Sequence, residues 1–250
     1  LGVLARINEI KKICKKYNLT LIEDTAWGCG AQYKKKFLGT WGDIGAFSFD
    51  FAKTITTGEG GMLLFKSKKK YLKAKAWHDH GHENNPNVPR WEDTRKSSGF
   101  NFRMTEMQGA VGLAQLKKLD YIIKKQRENH NKIWNNIKNL NILKRTYPNK
   151  CKISADALII FVKNSIVAKK CRVELLKFGI STKILPEAYT WHFAAQWGHI
   201  KSLKIKHKKN LNNSFPISKK LLSRCVSIPI FVKMKKEIPK NIYKALQRSL

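Results

Sequence analysis

Near the start of the chain, apolar residues fall at Leu4, Ile7, Ile10, Cys14 and Tyr17, while Lys11, Lys12, Lys15 and Lys16 mostly occupy the other face. That spacing predicts an amphipathic helix. The run Leu19-Thr20-Leu21-Ile22 then reads as a short buried strand ending in Glu23-Asp24. A helix feeding a strand with acidic last residues is the half-unit of an α/β sheet, where chemistry collects at the carboxyl ends of the strands. Ala46–Phe49 and Met62–Phe65 are predicted as further strands with a glycine-rich stretch between them, and Ser67–Trp77 as a helix.

Trp77–Ser98 is polar and carries Pro86 and Pro89, which predicts a long loop, a feature usually tied to function in compact domains. From Thr105 to about Ile137 the pattern is that of one long helix, with Thr105-Glu106 suited to its start. Beyond it, strands are predicted at Ala155–Val162, Ile180–Ile184 and Ser227–Phe231, and helices at Val167–Phe178 and Ile238–Leu250. The pattern divides the chain into residues 1–138, a large α/β domain ending in a connecting helix, and residues 139–250, a smaller α+β domain. The chain opens in a helix with no strand before it, so the large domain is expected to be incomplete at its N-terminus.

Composition supports a folded protein. Of the 250 residues 42% are hydrophobic, enough for a substantial core. No apolar run approaches the roughly 18 residues of a membrane span, and no secretory signal is visible. The five cysteines form no Cys-x-x-Cys pair and no zinc spacing, which predicts free thiols in a reducing cytoplasm. The formal charge of +33 raises the question of nucleic acid. Residues 151–250 hold 21 Lys and Arg against 4 acids, net +17, leaving +16 for residues 1–150, so the excess is spread over the whole chain. Lysine outnumbers arginine, 41 to 9, whereas arginine leads in base recognition. The charge therefore reads as solvated surface lysine, with no specific nucleic-acid partner and no membrane.

Candidate chemistry lies in Glu23-Asp24-Thr25-Ala26-Trp27, Phe47-Ser48-Phe49-Asp50-Phe51-Ala52-Lys53 and Thr56-Thr57-Gly58-Glu59-Gly60-Gly61. A lysine in a partly dry site is a nucleophile toward carbonyls. An aspartate at a strand end can keep a pyridinium nitrogen protonated, and a serine hydroxyl can meet a phosphate. Gly58, Gly60 and Gly61 permit close backbone approach or positive φ. Each feature alone has an ordinary explanation: a cap, a solvated charge, a turn. His78, His80 and His82 alternate and would share one side of an extended segment, a zinc geometry in principle, but in a polar loop they read as hydrogen-bonding residues, and no metal is expected.

The order Glu-Asp-x-Ala, Phe-Ser-Phe-x-x-x-Lys, Thr-Thr-Gly-Glu-Gly-Gly and Gly-Phe-Asn-Phe-Arg-Met resembles the DegT/StrS family of sugar aminotransferases over nearly the whole chain. The resemblance implies an aspartate-aminotransferase-like fold (fold type I) with a large domain incomplete at the N-terminus. It also implies pyridoxal 5'-phosphate as cofactor, glutamate as amino donor and a keto-sugar as acceptor. By the same likeness Lys53 is the catalytic lysine that takes the cofactor covalently and shuttles the proton. Asp24 pairs with the pyridine nitrogen, Ser48 contacts the phosphate, and Asn101 reaches the phosphate of the partner subunit's cofactor, so a homodimer with shared active sites is implied. Trp27 stands where the family usually has Gln or His bonding the cofactor's ring oxygen, and its indole N–H can donate one such bond.

The loop Trp77–Pro86 with Pro89–Arg95 resembles the branch that aminates C8 of an octulosonic acid for lipopolysaccharide. That acceptor carries a carboxylate, for which Arg90, Arg95 and Arg103 are the candidate clamps, with His192, Glu187 and Tyr189 on the small-domain side. The alternatives are a sugar dehydratase, disfavoured because Lys53 is retained where dehydratases have His, and a basic protein binding nucleic acid or an anionic surface on a degenerate enzyme fold.

Overall fold

The computed structural model describes residues 3–182, 193–206 and 211–250, and it separates into two compact units. Unit 1 comprises Leu1–Ile123 with Tyr147–Ser154; unit 2 comprises Lys124–Thr146 with Ala155–Leu250.

Unit 1 opens with helix α1 (Ile7–Lys16), followed by strand β1 (Ile22–Asp24). The strand begins later than its apolar run because the Leu21 amide donates to the Asp43 carboxylate at 2.8 Å, outside any strand ladder. A hairpin of β2 (Gln32–Tyr33) and β3 (Lys36–Phe37) comes next, with Lys34 and Lys35 at positive φ in its turn. Strand β4 (Ile44–Ser48) runs parallel to β1, with Asp24 opposite Ala46, and antiparallel to β5 (Gly61–Phe65), giving the sheet order β1-β4-β5. Glu23 and Asp24 point to opposite faces of β1. The Glu23 carboxylate accepts the backbone amides of Gly39 at 2.9 Å and Gly42 at 2.6 Å, and that of Trp41, so one side chain holds the whole approach to β4.

Helix α2 (Lys68–Trp77) is capped by Ser67, whose hydroxyl accepts the Lys70 amide. The predicted long helix is two: α3 (Glu106–Leu116) and α4 (Leu119–Ile137). The Lys118 amide bonds the Gln115 carbonyl three residues back, a tightened turn that ends α3. Thr105 and Gln108 form a reciprocal capping box at the start of α3.

Unit 2 is built on a sheet of order β6-β8-β9, where β6 is Leu143–Lys144, β8 is Ala157–Phe161 and β9 is Cys225–Pro229. A further short strand, β7 (Cys151–Lys152), pairs with β2 in unit 1. Helix α5 (Ser165–Lys177), capped by Asn164, packs with the sheet and with α8 (Ile238–Ser249); α6 (Lys201–Lys206) and α7 (Pro216–Ser223) are short. The core gathers Ile133 and Ile137 of α4, Leu158 and Ile160 of β8, Leu175 of α5, Ile228 of β9 and Ile242 and Leu246 of α8, all without solvent exposure. No strand forms over residues 180–182, and the rest of the strand predicted at Ile180–Ile184 lies outside the described residues. All five cysteines are free; Cys171 and Cys225 are buried, and burial pushes the Cys225 thiol up to about 12. Among the described residues no helix is long and apolar enough to cross a membrane.

Candidate active site

The carboxyl ends of the parallel strands β1 and β4 lie side by side, because the register sets Asp24 against Ala46, two residues before Ser48. Asp24 is exposed, and one of its oxygens accepts the Ala26 amide at 3.1 Å. That bond turns the chain and leaves the second oxygen without a hydrogen-bond partner among the described residues. Ser48 Oγ, at the end of β4, is 3.4 Å from the Asp50 amide. Asp50 in turn accepts the Ala52 amide at 2.9 Å, and its carbonyl accepts the Lys53 amide at 3.1 Å, so two successive turns deliver Lys53.

Lys53 Nζ sits 3.8 Å from the centroid of the Trp27 ring. The negative face of an indole attracts an ammonium group, which holds the amine at one place on the surface of the site. Lys53 forms no ion pair among the described residues. Trp27 thus meets the lysine through its ring face, a use that the reading of its N–H as a donor did not include.

The glycine-rich block closes the same edge. Gly60, at φ 153, lies where an added Cβ would stand 2.4 Å from Thr57 Oγ1, and its carbonyl accepts the Phe49 amide at 2.8 Å. Thr57 Oγ1 donates to the Glu59 carbonyl at 2.7 Å, which also accepts Gln108 Nε2 at 2.9 Å and ties the block to the start of α3. Gly61 opposes Ser48 as the first residue of β5.

The long loop is ordered around two carboxylates. Asp93 accepts the amides of Asn84 at 2.8 Å and Asn85 at 3.2 Å and meets His82 Nδ1 at 3.2 Å. Asp79, 3% exposed, receives both terminal nitrogens of Arg90, at 2.9 and 2.7 Å. Arg103 Nε lies 3.4 Å from Asp79 Oδ1 and donates to Asn101 Oδ1 at 3.0 Å. The hydrogen bonds from Arg90 hold the Asp79 carboxyl down to about 2. Of the three candidate clamps, Arg90 and Arg103 are therefore engaged with an acid of the chain itself, and Arg95 stands exposed beside its bridge to His82. Asn101 is exposed. His192, with Glu187 and Tyr189, lies outside the described residues.

The histidines do not share a side. His80 takes a positive φ of 55°, His78 Nδ1 meets the Lys75 carbonyl, and His82 turns to Asp93. Asp79 is the residue that sequence reasoning missed. Its signal was present as one acid among few, in a loop followed by three of the nine arginines.

Residues 1–247 match the family model of the DegT/DnrJ/EryC1/StrS aminotransferase family. The chain is 42% identical over 122 residues to GDP-perosamine synthase of Escherichia coli O157:H7, covering 49% of this chain and 32% of that protein. It is 35% identical over 127 residues to a UDP-4-amino-4,6-dideoxy-N-acetyl-beta-L-altrosamine transaminase of Campylobacter jejuni, covering 51% and 33%. These matches span about a third of the length of the curated relatives. Among solved structures, Helicobacter pylori PseC, an aminotransferase involved in pseudoaminic acid biosynthesis, superposes with a TM-score of 0.79 at 24% identity over 99% of this chain and 64% of that one. The aminotransferase TlmJ from Streptoalloteichus hindustanus gives a TM-score of 0.82 at 19% identity, covering 99% and 63%. Both share the fold.

Proposed function

The chain belongs to the DegT/DnrJ/EryC1/StrS aminotransferase family, and from that premise we propose that the protein transfers an amino group from glutamate to a keto-sugar of cell-surface polysaccharide or lipopolysaccharide, using pyridoxal 5'-phosphate. The observation that carries this reading is the Lys53 amine seated on Trp27 in the turns that follow the carboxyl end of β4, beside the end of β1 that bears Asp24. The donor set fits the cofactor: among the described residues Asp24 has a carboxylate oxygen to spare, Ser48 a hydroxyl, and Lys53 an amine outside any ion pair.

Bound pyridoxal phosphate supplies an electron sink for charge developing at the carbon that bears the amino group. Asp24 would hold the proton on the pyridine nitrogen, and Ser48 Oγ would donate to the phosphate. Lys53 Nζ would hold the cofactor through its aldehyde carbon in the resting protein, and would be released as a free amine when the donor's amino group takes its place on that carbon. The freed amine would then be the base that removes the proton from the donor's α-carbon and the acid that returns one to the acceptor's former carbonyl carbon. Trp27 limits where that amine can go. Exposed Asn101 is the residue offered to the cofactor of a second subunit, and the working unit is a homodimer. Among acceptors, an 8-keto octulosonic acid brings a carboxylate, and Arg95 is the clamp of the three arginines that is not tied to Asp79.

The test is covalent capture. The full-length protein, loaded with pyridoxal phosphate and reduced with borohydride, should carry the label on Lys53. Lys53→Ala should abolish both the label and glutamate-dependent amination of the keto-sugar. A label on another lysine, or none in the wild type, would overturn the reading.

A further inference from the structure

Trp41 draws lysines from separate segments of unit 1. Lys11 of α1 places Nζ 5.7 Å from the centroid of its ring, and Lys36 of β3 places Nζ 5.0 Å from it. Lys66, just past β5, donates from Nζ to the Trp41 carbonyl at 2.8 Å. A fourth lysine stands alongside: the Trp41 ring lies 5.5 Å from that of Tyr33, and Lys34 Nζ is 5.4 Å from the Tyr33 centroid. All four lysines are exposed, and none forms an ion pair among the described residues.

Two acids lie near this patch, and both are spent on the backbone. Glu23 accepts the amides of Gly39, Trp41 and Gly42, and Asp43 accepts that of Leu21. Four ammonium groups against these two carboxylates leave two positive charges in excess. The crowding is felt at Lys66, where burial, and after it Lys36 and Lys11, hold the amine below its usual range. Like charges gathered in this way are relieved by an anion. The Trp41 indole N–H is itself buried with no acceptor among the described residues, so the residue that the lysines surround holds an unspent donor.

The patch lies away from the candidate active site. Trp41 precedes β4, and Lys66 follows Phe65, which pairs with Ile44 at the start of β4. Ser48 stands at the other end of the same strand.

We propose that the Lys11–Lys34–Lys36–Lys66 patch around Trp41 binds a chain of phosphate groups, carried by an inorganic polyphosphate or by the tail of a nucleotide. Lysine binds phosphate as a compact point charge, without the planar fork that makes arginine the partner of carboxylates. Several ammonium groups from separate segments suit several linked oxyanions. Lysines already sit over both rings, so the patch offers charge and no bare face on which a base would stack. Phosphate oxygens draw those ammonium groups from the rings. The inference uses no residue assigned to transamination and does not depend on that reading.

Calorimetric titration of the full-length protein with tripolyphosphate tests this. The Lys11→Gln/Lys36→Gln double variant breaks no hydrogen bond among the described residues and should bind at least tenfold more weakly. The control Lys169→Gln/Lys170→Gln removes the same charge from unit 2 and should stay within twofold. Equal losses in the two variants would mean that net charge alone is read, and would overturn the site. ATP names the source by comparison with tripolyphosphate, and adenosine should displace neither; displacement by adenosine would overturn phosphate recognition. The indole N–H signal of Trp41, assigned by its loss in Trp41→Phe, should move as tripolyphosphate is added. A Trp41 signal that stays in place at saturation, or a wild type that binds no tripolyphosphate, would overturn the assignment. Added pyridoxal phosphate should leave tripolyphosphate binding within twofold, and full competition would place the ligand at the candidate active site instead. Failure of the protein to take the cofactor would count against transamination and leave the other measurements as they stand.

Discussion

In unit 2, β8 is buried along Ala157, Leu158, Ile159 and Ile160, and α8 contributes Ile242, Ala245 and Leu246 to a core closed by that unit's own elements. In unit 1, β5 leaves Met62, Leu63 and Leu64 between 41 and 52% exposed, and α3 buries none of its residues. Unit 1 instead holds its chain with polar anchors: Glu23 on three amides, Asp93 on two amides and an imidazole, and Asp79 on two arginines. Apolar burial is non-directional, while hydrogen bonds fix angle and distance. The unit that carries the candidate chemistry is the one organised by the directional interaction.

Truncation gives the largest contrast. Leu158→Ala should cost about 2–5 kcal/mol in a denaturant melt, the usual cost of a cavity in a closed core, whereas Leu64→Ala should stay within about 0.5 kcal/mol. If Leu64→Ala cost as much, the face of β5 would be covered in the intact protein and the contrast would not survive.

Acid separates the units next. His130 in unit 2 is 2% exposed, and its Nε2 has no hydrogen-bond partner among the described residues. Burial, with Lys144 adding to it, holds the imidazole down to about 4. The unfolded chain takes up that proton near pH 6.5 and the folded one only near pH 4, so stability should fall between those values by on the order of 3 kcal/mol. His130→Phe should remove the dependence. Asp79 behaves differently: its carboxylate, depressed by Arg90, contributes fully above about pH 4 and is lost only as pH falls toward about 2. A melt that follows signals from each unit should show the two windows, and one shared window would undo the distinction.

The smallest effect belongs to a single cap. Thr105→Ala removes half of the box that starts α3 and should cost about 1 kcal/mol, with Thr105→Ser restoring most of it. A cost near zero would mean that polar anchoring contributes less to unit 1 than its bond network implies.

Much of this was legible along the chain. The apolar runs located β4, β5, β8, β9 and α2, and the acids after Leu19–Ile22 marked the strand end that carries Asp24. Long-range polar contacts were not legible. No periodicity reports that Asp43 would take the Leu21 amide and delay β1, or that the turn at Lys117–Lys118 would divide a continuous apolar pattern. The two-residue strands β2, β3, β6 and β7 are too short to have a period at all. Lys53, Ser48 and Asp24 stand out as candidates in the sequence because strand ends and glycines flank them. The bonding of Arg90 and Arg103 does not, because an arginine's sequence neighbours do not reveal which acid lies across the fold.

Glu23 and Asp24 also bear on how this stretch can change over generations. They are adjacent in sequence yet do opposite work, one pinning the approach to β4 and the other standing open at the strand end. Alternation along a strand means that gaining or losing one codon within Leu19–Ile22 would exchange their places. The shorter acid would face three amides it does not reach, and the longer one would stand where the open carboxylate belongs. Replacing a surface lysine leaves this arrangement untouched, whereas the strand register of these two acids is kept or lost for both together.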